Sequence, residues 1–301
     1  MNELNFVVEE AKANVRLDQM LTLVMPEFSR SKIRGLISKD LVTIDGEIAK
    51  PSQRVRLGQQ IVVIIQKSPE TSLAPQKMDL PVLFEDGSFI VIDKPAGLSV
   101  HPGPGHPDGT LVNGVMAICP DIAGVGEEHR PGIVHRLDMD TSGVIVVAKN
   151  EQCHRSLSDQ FKNRTVIKKY LALVDGNMDE QRAIVEAPIA RDPHDRKKMA
   201  VVTNGRESST EYTVVERFPF FDYLRLNPKT GRTHQIRVHL YSLGHPVVGD
   251  SLYGSKINGL ERQFLHAESI SLIHPVDNIL MEFKSPLAHD LLKFKKSLGI
   301  I

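Results

Sequence analysis

The sequence predicts an α+β protein: a mixed, largely antiparallel sheet with flanking helices, preceded by a small α/β module. Strand-like apolar runs recur at 89–93, 144–149, 166–174, 211–217 and 223–226, and helix-like periodicity falls near 150–163, 233–243 and 287–298. Strands that do not alternate one for one with helices favour antiparallel pairing over a doubly wound parallel sheet. Residues 1–66 carry a separate pattern of short helices and strands. Residues 67–79 (KSPETSLAPQKMD) hold two prolines and no apolar period, the composition of a linker. The expected division is therefore a module at 1–66, a linker at 67–79 and a main domain at 80–301. A chain of 301 residues can support both cores.

Within the first module, Arg16-Leu17-Asp18-Gln19-Met20-Leu21 opens one helical pattern. A second begins at Ser29, a predicted N-cap, and sets Ile33, Leu36 and Ile37 on one face. The run Leu41–Glu47 reads as a strand entering an Asp-Gly turn at Asp45-Gly46, and 55–57 and 60–65 supply further strand.

Hydrophobic content of 41% and charged content of 25% are ordinary for a soluble globular protein. No apolar run reaches the length needed to cross a bilayer. The N-terminus is acidic, without the basic-then-apolar order of a signal peptide. Cys119 and Cys153 show no CxxC spacing, so a reducing compartment is expected. These readings predict a cytoplasmic protein; the sequence is silent on oligomeric state, and a monomer is the default expectation. Thirty-seven basic residues balance thirty-seven acidic ones, whereas a nucleic-acid binder is expected to be basic. Positive charge is nonetheless concentrated at 30–56 and at 225–237, where Arg225, Lys229, Arg232 and Arg237 face no acid in sequence. Such stripes suit phosphate contacts at a defined site, although a stripe of this kind is often only a solvated face.

The richest chemistry lies at Pro131-Gly132-Ile133-Val134-His135-Arg136-Leu137-Asp138-Met139-Asp140-Thr141-Ser142-Gly143. A polar cluster between Ile133-Val134 and the run 144–147 reads as a loop held between core strands, able to present a carboxylate in a fixed place. Asp138 is the candidate reacting group; the bland alternative is a turn residue capping its own loop.

HRLDMDTSG followed by VIVVAKN resembles the central motif of the RluA/RluD-type RNA pseudouridine synthases. Three further segments agree in order: FIVIDKPAGLSVHPGPG at 89–105, IKKYLALVDG at 167–176 and KTGRTHQIRVHLYSLGHPVVGD at 229–250. The resemblance covers about 80–290, and the first module, with its basic second helix, resembles an S4 RNA-binding domain. GPGHPDGTLVNGV at 103–115 is most similar to the RluD-like branch. The implied fold is the pseudouridine synthase catalytic fold. The implied activity is isomerisation of uridine in structured RNA, with large-subunit (23S) ribosomal RNA as partner.

Isomerisation breaks the bond from ribose C1′ to uracil N1, turns the base and rejoins it through C5. Nothing is gained or lost, so no cofactor is expected and a carboxylate can suffice. The resemblance assigns that carboxylate to Asp138; attack on the sugar, attack on the base and removal of the C2′ proton all stay open to it. Asp140 is left to the loop. Because the base must leave its stack, the resemblance gives Arg136 a part in flipping, where a salt bridge to Asp138 or Asp140 is the plain alternative. It makes Tyr170 the active-site tyrosine, which periodicity alone would place in a half-buried strand. Arg237 is implied as the partner that favours an ionised carboxylate, with Arg232 as runner-up and otherwise a phosphate contact. Thr233 is a possible cap for the helix that follows. Arg30, Lys32, Arg34 and His135 complete the expected RNA contacts.

No metal is expected. His234 and His239 would lie on different sides of a helix, and His101 and His106 flank Pro-Gly turns without a carboxylate at ligand spacing. Two other readings are a noncatalytic RNA-binding or assembly factor and a hydrolase of glycosidic bonds. The latter lacks a second well-spaced carboxylate.

Overall fold

The computed structural model describes residues 2–26, 28, 30–65, 73–103, 105–254 and 256–299. The chain opens with β1 (Asn2–Val7), α1 (Leu17–Val24), α2 (Arg30–Ser38), β2 (Val42–Ile44), β3 (Glu47–Ile48) and β4 (Gln60–Ile65), and the strands pair in the order β1-β4-β2-β3. Asp45 and Gly46, both with positive φ (52° and 86°), make the anticipated turn between β2 and β3, the geometry that matches strand twist. Leu17, Met20 and Leu21 of α1 and Ile33 and Ile37 of α2 pack on Val42, Ile44, Ile61 and Val63 of the sheet. Ser29 lies outside the described residues, and β1 was not anticipated. Residues 55–57 form no strand; Val55 is buried beside an isolated bridge between Arg16 and Arg54.

Asp18, fully buried, fixes the two helices to one another. Its carboxylate accepts from Arg16 Nε (3.0 Å) and from Arg30 Nη2 (2.8 Å). The hydrogen bond from Arg16, aided by Arg30, outweighs burial and holds its pKa down at about 2. A depressed carboxylate contributes stability above its unfolded pKa and loses it as pH falls through the folded one. Asp18→Asn is therefore expected to destabilise this module by about 2 kcal/mol at pH 7. The deficit should shrink between pH 4 and pH 2; chemical denaturation followed over that range checks it, and a pH-independent deficit would refute the ionic explanation.

The main domain runs β5 (Val82–Glu85), β6 (Phe89–Lys94), α3 (Leu111–Ile118), β7 (Gly126–Glu127), β8 (Arg130–Pro131), β9 (Ser142–Ala148), α4 (Glu151–Lys162), β10 (Ile167–Asp175), β11 (Arg182–Glu186), β12 (Ile189–Arg191), β13 (Met199–Val201), β14 (Ser209–Arg217), β15 (Phe221–Pro228), α5 (Gln235–Ser242), β16 (Leu265–Ile273), β17 (Leu280–Lys284) and α6 (His289–Leu298). Among the described residues its large sheet has the order β11-β14-β15-β10-β16-β9-β6-β5, with β17 added on β16. Every pairing is antiparallel except β9 with β16. The sheet is mixed and mostly antiparallel, as the run of strands implied. β9 is buried at every position, which explains its uninterrupted apolar sequence.

Residues 73–79 do not behave as free linker. Leu73 is buried against α3 and its surroundings, Gln76 N–H donates to the Asn113 carbonyl, and Asn113 Nδ2 donates to the Ala74 carbonyl. The first module meets the main domain through Lys39–Glu128 (2.9 Å) and through Arg155, which donates to the Pro26 carbonyl. No described helix is long and apolar enough to cross a membrane.

Candidate active site

The central polar segment becomes a loop running into β9, bracketed by two glycines that allow close backbone approach. At Gly143 (φ 112°) an added Cβ would lie 2.2 Å from the Ala267 carbonyl oxygen on β16; at Gly132 (φ 71°) it would lie 2.5 Å from that of Ala148. The first flank is not a strand as expected: Ile133 makes only an isolated bridge to Val147. The turn just before it is closed by Gly132 N–H bonding the Val125 carbonyl.

The loop between the glycines is held at several residues. Leu137 is buried in the core beside Ile145 and Val147. The Met139 carbonyl accepts from Lys94 Nζ (2.8 Å), and the Asp140 carbonyl accepts from Arg262 Nη1 (2.9 Å). Ser142 Oγ bonds His266 Nδ1 (2.9 Å). Asp138 is thereby left as the side chain that a rigid frame presents.

Lys94 was not anticipated. Fully buried, its ammonium donates to the carbonyls of Pro95, Leu98 and Met139, at 2.8–2.9 Å. Burial draws its pKa down to about 7, against the attraction of Asp140. Three acceptors nevertheless match the three N–H bonds of the protonated form. Lys94→Met would leave three carbonyls turned toward a thioether, at about 1–3 kcal/mol for each group left unsatisfied. We expect a loss of roughly 3 kcal/mol or more in urea denaturation, together with a lower rate from a loosened loop. Wild-type stability in this variant would show that water replaces the ammonium.

The Asp138 carboxylate is 18% exposed and opens on a cleft of about 620 Å³. Its Oδ2 accepts from Arg237 Nη1 at 2.9 Å. Arg237 lies in the first turn of α5, and its other edge forms a fork with Asp250: Nε to Oδ2 at 2.6 Å and Nη2 to Oδ1 at 2.9 Å. Asp250 is fully buried and its Oδ1 also accepts the amides of Leu252 and Tyr253. Burial disfavours charge on both partners, but their mutual hydrogen bonds prevail, raising the Arg237 pKa and lowering that of Asp250. One guanidinium thus spans a fully buried carboxylate and the half-buried one that opens on the cleft. The Arg237 guanidinium also lies 5.1 Å from the ring centre of Tyr253, whose hydroxyl bonds His234 Nδ1 at 2.9 Å.

Tyr170 faces the same cleft from β10, between β15 and β16. The register of β10 against β16 shifts between Lys169 and Tyr170, and such an irregularity re-aims a side chain. Burial, helped by the nearby charge of Asp138, raises the pKa of its phenol well above the ordinary value, so the hydroxyl keeps its proton. Lys168, also unanticipated, lines the cleft with its pKa drawn to about 8 by burial and its Nζ 3.3 Å from the Thr230 carbonyl.

The structure brings Asp138, Tyr170, Arg136, Arg232 and Arg237 to one cleft. Of the two candidate partners, Arg237 pairs with Asp138, whereas Arg232 Nε donates to the Glu207 carbonyl. Arg136 is exposed and makes no ion pair with Asp138 or Asp140 among the described residues. His135 is used otherwise than expected. Its Nε2 accepts from the Val146 amide, its ring stacks on Phe161 at 4.7 Å, and burial pushes its pKa down to about 3. It braces the cleft wall as a neutral ring, with no charge to offer RNA. The cap of α5 is His234, in the left-handed region (φ 54°), not Thr233. In the first module Arg30 is committed to Asp18, Arg34 is exposed, and Lys32 lies on α2.

The positive stripe at 225–237 is largely neutralised in the fold. Arg225 pairs with Glu268, Lys229 with Glu211 and Arg237 with two aspartates, all from other elements. Gln235, silent in sequence, ties the segment together: its Oε1 accepts from Thr230 Oγ1 and the Arg232 amide, and its Nε2 donates to Ser209 and Thr210.

Residues 88–242 match the family model described as RNA pseudouridylate synthase, and 15–61 match that of the S4 domain. Over 299 residues the chain is 38% identical to "Uncharacterized RNA pseudouridine synthase YlyB" of Bacillus subtilis, covering 99% of each. It is 42% identical over 306 residues to "Ribosomal large subunit pseudouridine synthase D" of Xanthomonas campestris, covering 97% of this chain and 91% of that one. Among solved structures, "Human RNA Pseudouridylate Synthase Domain Containing 4" is similar at 26% identity and a TM-score of 0.59, over 73% of this chain and 93% of that one.

Proposed function

Because the chain belongs to the RNA pseudouridylate synthase family and carries an S4 domain, we propose that it converts specific uridines of large-subunit ribosomal RNA to pseudouridine. The observation that carries the reading is the Arg237–Asp138 ion pair opening on the cleft that Tyr170 also lines. Asp138 is the reacting carboxylate in this proposal. Arg237 holds its charge and aim, and Asp250 holds Arg237. Arg136, exposed at the rim and without an ion-pair partner among the described residues, fills the gap left when the uridine is flipped. Tyr170 packs on the uracil with a neutral hydroxyl; a phenol kept protonated by burial is not a phenolate base, so the C5 proton leaves by way of another acceptor or a relay through the phenol oxygen.

The ribosomal substrate is supported by relatives named for the large ribosomal subunit, such as the Xanthomonas protein and its Nitrosomonas europaea counterpart at 42% identity. We take the S4 module as an RNA anchor, with the protein working as a monomer in the cytoplasm. The test is a pseudouridine map of ribosomal RNA from cells with and without the protein. Defined large-subunit sites should revert to uridine with no release of free uracil. An identical map in both strains would refute the proposal.

A further inference from the structure

A second concavity, of about 300 Å³, adjoins the cleft: the Gly231-Arg232-Thr233 segment lines both. The β12–β13 hairpin and the stretch through Arg206 make its other walls. Arg206 is bridged to β12 through reciprocal backbone hydrogen bonds with Ile189, and Gly205 packs so tightly there that a Cβ would lie 2.7 Å from the Ile189 amide nitrogen. Arg191, Arg206 and Arg232 line this groove, and among the described residues no acidic side chain does.

These three are among the arginines that the fold leaves without a carboxylate, and here they share one concavity. Among the described residues Arg16, Arg30, Arg130, Arg182, Arg217, Arg225, Arg237 and Arg262 all hold carboxylates. Arg191 spends one nitrogen on the Arg196 carbonyl and Arg232 one on the Glu207 carbonyl, and neither has a carboxylate partner. The Arg206 guanidinium has no side-chain partner in the described structure. The hairpin loop adds Arg196, Lys197 and Lys198. Its two acids, Asp192 and Asp195, are turned onto the loop's own amides at His194, Asp195 and Lys197. Burial disfavours the charge of Arg232 most, and the repulsion of Arg206 and of Arg164, which lines the cleft, adds to it, with Glu207 offsetting only part. In a chain of zero net charge, three planar cations left without counter-ions around one concavity suit an anion with flat, repeated oxygen pairs, which is a phosphodiester.

We propose that this groove is a phosphodiester subsite that grips the RNA backbone beside the uridine held in the cleft. The proposal rests on the functional reading above and adds to it a second point of substrate contact. The hairpin is tied to the catalytic frame: the Met199 amide donates to Tyr253 Oη at 2.7 Å, and the Tyr253 ring lies against Arg237. A backbone gripped here is therefore held in fixed register with Asp138.

The test measures binding of an unmodified large-subunit rRNA transcript to full-length protein across a salt series, with pseudouridine formation followed in parallel. Arg206→Gln and Arg191→Gln are each expected to weaken binding several-fold at physiological salt. Each should also make the slope of log K against log salt shallower by about 0.7–0.9, the share of one phosphate contact. Arg206→Lys, which keeps the charge, should keep most of the slope, and the loss in turnover should fall on KM rather than kcat. Wild-type slopes in both Gln variants would overturn the subsite, as would a kcat loss without a KM change, which would mark a structural role. If the wild-type protein forms no pseudouridine yet its binding slope still depends on Arg206, the functional reading fails and the subsite stands.

Discussion

Asp138→Asn is expected to abolish pseudouridine formation while leaving the fold and RNA affinity nearly intact. The amide is isosteric, and its oxygen can still accept from Arg237 Nη1, while Arg237 keeps its fork on Asp250. What disappears is a negatively charged oxygen able to attack or to take a proton. Removing a reacting group of this kind costs on the order of 10⁴-fold or more in rate. A side chain open to the cleft and outside the apolar core should change stability by less than about 1 kcal/mol. Release of label from C5 of uridine follows the reaction directly, since C5 loses its hydrogen when the new bond to the sugar forms. Full conversion by this variant on a purified transcript would remove Asp138 from the mechanism.

Arg237→Met should damage both stability and rate, and the two losses are separable. Without the guanidinium, Asp250 is a buried carboxylate whose only other donors among the described residues are two backbone amides. Breaking a buried pair by removing one partner costs about 3–5 kcal/mol. The rate should fall at least about 100-fold, as when a preorganised charge is taken from a reacting centre. In the wild type the Asp250 pKa lies below its ordinary value, so its contribution is present at neutral pH and lost as pH falls. In the variant, burial without a cation raises that pKa, so the sign reverses: folding is favoured at low pH and penalised as pH rises. The stability gap between the two proteins should therefore narrow on acidification from pH 7 toward pH 4. Adding Asp250→Asn to the variant should recover much of the stability and none of the rate. A double variant as unstable as the single one would mean that packing against Tyr253, not the unpaired carboxylate, dominates.

Much of the fold could be read from local pattern. β9 and β10 are long apolar runs, and α4 and α6 carry amphipathic periods with polar faces. β16 escaped notice although it joins β9 to β10 at the middle of the sheet; its Leu265–Ile273 sequence mixes His266, Glu268, Ser269 and Ser271 with apolar residues. Those polar groups are acceptable there only because distant partners meet them, as Ser142 and Ser285 meet His266. Tertiary contact also reversed the reading of charge. Counted along the sequence, 225–237 is a basic stripe; in the fold most of it is ion-paired, and Arg136, Arg164, Arg191, Arg206 and Arg232, around the cleft and its neighbouring groove, are among the arginines without a carboxylate partner in the described residues. His135 shows the same effect on a single residue, since its neighbour in space is the β9 backbone.

By itself the sequence determined the strands and helices whose apolar period is strong, the resemblance to a family, and the candidate Asp138 between its two glycines. Only the tertiary structure decided which arginine meets that carboxylate, that Asp250 stands behind it, and that Lys94 pins its loop. The reason is distance along the chain: Arg237 is 99 residues from Asp138 and Lys94 is 45 from Met139. Charges so far apart in sequence acquire partners only when the sheet has brought their strands together.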